Sequence, residues 1–184
     1  KARAVVHLEL SVSLYREQLR NGRYFLHEHP AYATSWQEAA MQGLMSEVGV
    51  ETAVCDQCQY GSESFDGSPV KGPTKFLTNA PELAKKLRKR CVARDGTCNR
   101  PAGGVHAQCR GKVARKAAVY DFKLCRAILS GFREQLRRDG VFTHGEIGLH
   151  EAKVDEQHIS NESDVEDRYL KMFDGCILKV DNGM

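Results

Sequence analysis

The chain has 184 residues, 41% hydrophobic and 28% charged, which is the make-up of one globular domain plus a tail and enough to bury a core. No stretch approaches the roughly 18 apolar residues of a membrane span, and residues 1–10 lack the apolar core and cleavage site of a secretory signal, so a soluble, intracellular protein is expected. The net charge of +3 conceals an asymmetry: nine acids against five Lys/Arg in residues 1–70, four against eighteen in 71–138, and eleven against four in 139–184.

Val5, Leu8, Val12, Tyr15 and Leu19 recur in steps of three and four, one face of an amphipathic helix. Asn21-Gly22 follows as its cap. Because the chain opens without methionine on what already reads as helix, it is expected to be cut from something larger. Arg23 to His27 reads as a short strand ending at Pro30. Ser35 and Glu38 have capping-box spacing and open a helix with Trp36, Ala40, Leu44, Met45 and Val48 on one face, closed by Gly49. Val50 to Cys55 reads as a second strand. Helix, strand, helix, strand in this order predicts a parallel α/β sheet with flanking helices.

Gly61 to Gly72 is rich in Gly, Ser and Pro and is expected to be a loop. Thr74 to Thr78 predicts a strand. Asn79-Ala80-Pro81-Glu82 starts a helix running to about Cys91, with Leu83 and Leu87 inward. Residues 92–114 have no period. Asp121 to Arg138 returns to helix through Leu124, Ile128, Phe132 and Leu136. These elements define an α/β unit over residues 1–140. Residues 141–184 are expected to be an acidic linker in which Tyr169, Leu170, Met172, Phe173, Ile177, Leu178 and Val180 could form a small docking element.

Seven cysteines, an odd number at irregular spacing, point to a reducing compartment and to thiols or metal ligands. Cys91, Cys98, His106 and Cys109 lie together in the aperiodic stretch, where a tetrahedral zinc ion would supply the order that a core does not. Their spacings of six, seven and two intervening residues match no standard finger. Cys55 and Cys58 have metal-ligand spacing as well, although one of them should face the core at a strand end. Cys125 reads as core.

The basic block 71–138 is a candidate surface for DNA or RNA. Lys85, Lys86, Lys89 and Arg90 on one helix, with Arg110, Lys112, Arg115 and Lys116 nearby, would grip phosphates without reading sequence. The alternatives are a solvated face or a docking surface for other protein subunits. An acidic tail that competed for the same face would weaken such binding. No Gly-x-Ser-x-Gly elbow and no Gly-Lys-Ser/Thr phosphate loop is present.

Several phrases in order carry a resemblance: Gly22-Arg23-Tyr24-Phe25-Leu26-His27-Glu28-His29-Pro30, Ala33-Thr34-Ser35-Trp36, Asp56-Gln57-Cys58-Gln59-Tyr60-Gly61, Gly72-Pro73-Thr74-Lys75-Phe76-Leu77-Thr78-Asn79, and Leu124-Cys125-Arg126-Ala127-Ile128. Together they resemble a segment of Copia-type retrotransposon polyproteins upstream of the reverse transcriptase, over roughly residues 5–138. That segment is similar, more distantly, to the back half of cytosine-5 DNA methyltransferases. The resemblance implies a class I, Rossmann-like fold, incomplete at its N-terminus. It makes Glu28 the descendant of the glutamate that contacts the flipped pyrimidine ring, with His29 where that family has asparagine. No cysteine here follows a proline, so the family's nucleophile is missing. The Gly-rich loop for S-adenosylmethionine is missing too, and that cofactor is expected only with an upstream half attached. The chain alone is expected to be inert, either a nucleic-acid-binding piece or a structural scaffold or spacer.

Overall fold

The three-four apolar repeat becomes helix α1, Ala2–Arg20, in the computed structural model, which describes residues 2–141. Val12 is buried, and Leu8, Tyr15 and Leu19 pack beside it. The helix ends as Asn21-Gly22 predicts. Gly22 turns to φ +64°, and the N–H of Arg23 reaches back to the carbonyl of Gln18 at 2.8 Å. This is a left-handed cap, in which glycine carries no Cβ penalty.

Three strands follow, each with a helix or turn after it. They are β1 (Leu26–Pro30), β2 (Glu51–Asp56) and β3 (Pro73–Thr78). They form one sheet in the order β1-β3-β2, with β3 antiparallel to both neighbours. Glu28 stands opposite Phe76, and Phe76 opposite Ala53. The expected parallel, Rossmann-like sheet is therefore overturned. The connection from β1 through a 3-10 turn (Thr34–Gln37) and α2 (Ala39–Met45) does leave β1 and β2 pointing the same way. But β3 inserts between them and takes up the hydrogen bonds that would have paired them, giving a split β-α-β unit.

The sheet is buried on both faces. Ala53, Cys55 and Phe76 pack under Leu83, Leu87 and Leu124, from α3 (Pro81–Lys86), the residue after it, and α5 (Phe122–Arg138). Leu77 packs with Val12, Trp36, Met41 and Leu44 from the α1 and α2 side. Consecutive residues Phe76 and Leu77 are thus both fully buried. A strand covered on two sides has no polar alternation, and so it reads like a strand of a parallel sheet.

Several boundaries moved for local reasons. Ser35 makes no capping bond; its hydroxyl meets His29 Nδ1 at 3.0 Å, and the helix starts only at Ala39. Val48, expected inward, is fully exposed. α3 stops at Lys86 rather than near Cys91, because residues on the β2 side capture its continuation, as described below. Residues 111–114, the end of the aperiodic stretch, open helix α4 (Gly111–Ala117). The docking element expected in the acidic linker lies outside the described residues.

α3 and α5 approach closely where Gly131 is buried in the middle of α5. A Cβ there would lie 2.7 Å from Leu83 Cα, and backbone does not yield as a side chain does. Gly131→Ala is expected to destabilise the protein by about 1–3 kcal/mol. At an exposed helical position the same change would favour the helix by about 1 kcal/mol. Thermal or denaturant melting checks this, and a midpoint that stays or rises would mean that the two helices can separate at little cost.

Candidate metal centre

Just past β2 the chain turns through a 3-10 segment, Gln57–Tyr60, and ends on Gly61 at φ +99°. Three residues around this turn hold the stretch after α3. Tyr60 is buried, and its hydroxyl donates to the carbonyl of Lys86 at 2.7 Å. Asp56 is fully buried and accepts from the Arg90 Nε at 2.9 Å and from the Cys91 N–H at 2.8 Å. Its own N–H donates to the carbonyl of Lys89 at 3.0 Å. Between them, Cys58 points into a small cluster with Cys91 and Cys98. The helix ends at Lys86 because this segment is drawn alongside the strand end, and Cys91 is delivered beside Cys58.

The remaining two members come from a short hairpin. Arg94-Asp95-Gly96-Thr97 is a tight turn whose central residues have φ +56° and +75°, the conformation that Asp-Gly favours. Thr97 then bridges to Val105, and the Cys98 N–H donates to the carbonyl of Gly104 at 2.8 Å. His106 returns to the turn, its Nδ1 lying 3.0 Å from the carbonyl of Gly96. A carbonyl only accepts, so Nδ1 carries the proton and the lone pair of Nε2 faces the sulfurs. Arg100 fastens the hairpin to the 62–70 loop through Glu63 and the carbonyl of Gly67.

Cys58, Cys91, Cys98 and His106 thus converge, with donor atoms all within 4.8 Å of one another. Cys91 Sγ lies 3.9 Å from Cys98 Sγ and 3.6 Å from His106 Nε2. A tetrahedral zinc ion with Zn–S near 2.3 Å and Zn–N near 2.0 Å needs donors about 3.5–3.8 Å apart. These four residues could hold a metal ion. The three cysteines are buried and His106 is half-buried. Gln59 lies over the cluster, with its amide nitrogen 3.6 Å from Cys58 Sγ and 3.7 Å from Cys98 Sγ.

The thiols of this group are not equivalent. Burial pushes the Cys58 thiol up to about 12. Burial opposes ionisation of Cys91 too, but backbone N–H groups of Asn99 and Ala93, with the neighbouring thiols of Cys98 and Cys58, outweigh it and hold Cys91 below its ordinary value. Without a cation the pocket favours a neutral thiol at Cys58. A soft dication reverses this, because thiolates are its preferred donors.

Of the predicted ligands, Cys91, Cys98 and His106 are brought together and Cys109 is not. Cys109 is exposed, because the Ala107 N–H bonds to the carbonyl of Pro69 at 2.9 Å and leads the chain away after His106. Its place is taken by Cys58, which the 55/58 spacing had flagged. Cys55 faces the main core, and burial, with Asp56 next, pushes its thiol up to about 12. Cys125 is half-buried. All six described cysteines are free.

Glu28 is exposed on β1. Its neighbour is Tyr120, whose hydroxyl is pushed above its ordinary range first by burial and then by the hydrogen bond to Glu28. Cys55 is the cysteine that feels the Glu28 charge, and as a buried neutral thiol it is unsuited to nucleophilic attack.

The predicted basic residues are divided. Lys85 pairs with Glu82 at 2.7 Å and Arg90 with Asp56. Lys89 lies over the Tyr60 ring, and Lys116 over the Phe65 ring while donating to the carbonyl of Ser64. Lys86, Arg110, Lys112 and Arg115 are exposed and make no ion pair among the described residues. No helix among the described residues is long and apolar enough to cross a membrane.

Comparison with family models, with curated proteins and with solved structures returns no match.

Proposed function

We propose that the chain is a non-catalytic, nucleic-acid-binding module fastened by one structural zinc ion. The observation that carries this reading is the closed set of four protein donors, Cys58, Cys91, Cys98 and His106. Zinc suits three thiolates and an imidazole, and four protein ligands fill a tetrahedron with no position left for substrate or water. The centre would order the stretch after α3, which otherwise has little apolar core. That stretch and α4 carry exposed Arg94, Arg110, Lys112 and Arg115. A metal that fixes a loop bearing cations suits phosphate contact rather than a reaction.

Descent from a Copia-type retrotransposon polyprotein rests on the ordered phrases in the sequence. The methyltransferase reading has an exposed Glu28 and no activated thiol beside it, so catalysis is not proposed for this chain.

Two measurements test the module. Elemental analysis of chain purified without added metal should give one zinc per molecule. Fluorescence anisotropy with a labelled duplex of mixed sequence should show binding that falls at least roughly a hundredfold between about 50 and 200 mM salt, as four or more phosphate contacts require. Metal-free chain that melts like the wild type would remove the structural role, and no binding at low salt would remove the nucleic-acid role. In that event a scaffold or spacer is the reading left.

A further inference from the structure

We infer that the outer face of α5 is a phosphate-binding row for a nucleic-acid backbone, formed by Lys123, Arg126, Arg133 and Arg137. This rests on the binding role proposed above and names a surface for it that the chain's basic composition does not single out.

The helix has two distinct sides. Leu124, Gly131 and Gln135 are buried, and Ile128 and Phe132 pack against the same core. At about 100° per residue the four cations fall within an arc of roughly 80° on the opposite side, and from first to last they span about 21 Å. All four are exposed. None of them makes an ion pair among the described residues. By contrast Lys85, Arg88, Arg90, Arg100 and Arg138 are each held by a carboxylate. The one acid of α5, Glu134, sits at the rim of the row and pairs with none of them. Five of the eighteen cations of residues 71–138 are thus held by carboxylates, while the α5 row is unpaired among the described residues and sits on one helix.

The chemistry of the row favours phosphate over other partners. Three of the four side chains are arginines, whose planar fork takes two phosphate oxygens at once. Ser130 lies between them, and Gln135, which could read a base edge, is buried. The row should therefore hold the backbone without discriminating sequence. About 21 Å of duplex presents roughly twelve phosphates, more than four cations require. An anionic membrane surface fits less well. A helix that lies on lipid inserts its apolar face, and the main apolar face of α5 is already packed against the core.

The experiment is duplex-DNA anisotropy across a salt series on the full chain. The variant K123Q/R126Q/R133Q/R137Q should lower the slope of log affinity against log salt by about 3–4, since each lost contact removes about 0.9. R126K/R133K/R137K, which keeps the charge, should keep the slope. If the glutamine variant fails to fold, the four single substitutions replace it, each expected to lower the slope by about 0.9. A glutamine variant with wild-type slope overturns the row. If replacing Lys86, Arg110, Lys112 and Arg115 then removes the slope, the module still binds nucleic acid, through another face. A wild-type chain that binds no duplex at low salt removes both readings, and displacement of DNA by polyglutamate as readily as by polyphosphate reassigns the row to an acidic protein.

Discussion

Replacing Cys58 by serine should take bound zinc from one per chain to almost none, while replacing Cys109 should leave it at one. The contrast follows from geometry. Cys58 lies in the cluster and is 1% exposed, whereas Cys109 sits on the surface beyond the point where Ala107 is tied to Pro69. Structural zinc in small domains is worth about 10–16 kcal/mol of binding free energy near neutral pH, so losing one of four ligands is severe. The loss should also be local. The two larger cores contain neither Cys91, Cys98 nor His106. Cys58→Ser should therefore keep its sheet and helices by circular dichroism, while peptide bonds in residues 87–110 become readily cleaved by protease. Elemental analysis and limited proteolysis read the two effects separately. Zinc retained by Cys58→Ser and lost by Cys109→Ser would mean that the four ligands are those clustered in sequence, and that the fold around the turn at Gln57–Tyr60 is different.

The same contrast shows where sequence reasoning reached its limit. Three of the four candidate ligands were legible because they lie within one aperiodic stretch, where a metal is the usual source of order. The fourth, Cys58, was flagged only by its spacing to Cys55 and not joined to the other three, because it lies 33 residues before Cys91, just past the end of β2. Spacing favours the near cysteine at 109, and only the tertiary pull on residues 86–91 brings the distant one in. The strands at 51–56 and 73–78 and the helices at both ends were legible from periodicity and turn residues. Their pairing was not. A sheet covered on both faces erases the alternation that distinguishes an antiparallel strand, and the order β1-α2-β2 suggests adjacency where β3 in fact intervenes. The α5 cations were visible as composition. Which cations of residues 71–138 are paired depends on carboxylates elsewhere in the chain: Glu51 takes Arg88, Glu63 takes Arg100, and Glu82 takes Arg138 of α5.

Asp56 should control the metal centre without touching the metal. Its carboxylate has no exposed surface, and one oxygen, Oδ2, receives both the Arg90 guanidinium and the Cys91 N–H. The other oxygen, Oδ1, is buried and has no hydrogen-bond partner among the described residues. Asp56→Ala removes two bonds to a charged acceptor, each worth about 1.5–3 kcal/mol, and a loss of about 3–5 kcal/mol in stability is expected. The consequence at the metal is separate. With Cys91 no longer pinned through its N–H, zinc affinity should fall about 10–100-fold, as when other groups that orient a ligand are removed. Asp56→Asn distinguishes position from charge. Its amide oxygen can still accept from Cys91, so zinc affinity should stay within a few-fold of wild type. Its nitrogen, set where Oδ1 now has no partner, should still cost about 1–3 kcal/mol of stability. Competition with a chromogenic chelator measures the affinity and denaturant melting the stability. Equal zinc affinity in the alanine variant and the wild type would show that Cys91 is held by the strand end alone. Equal weakening in both variants would show that the negative charge, rather than the bond to Cys91, favours the cation.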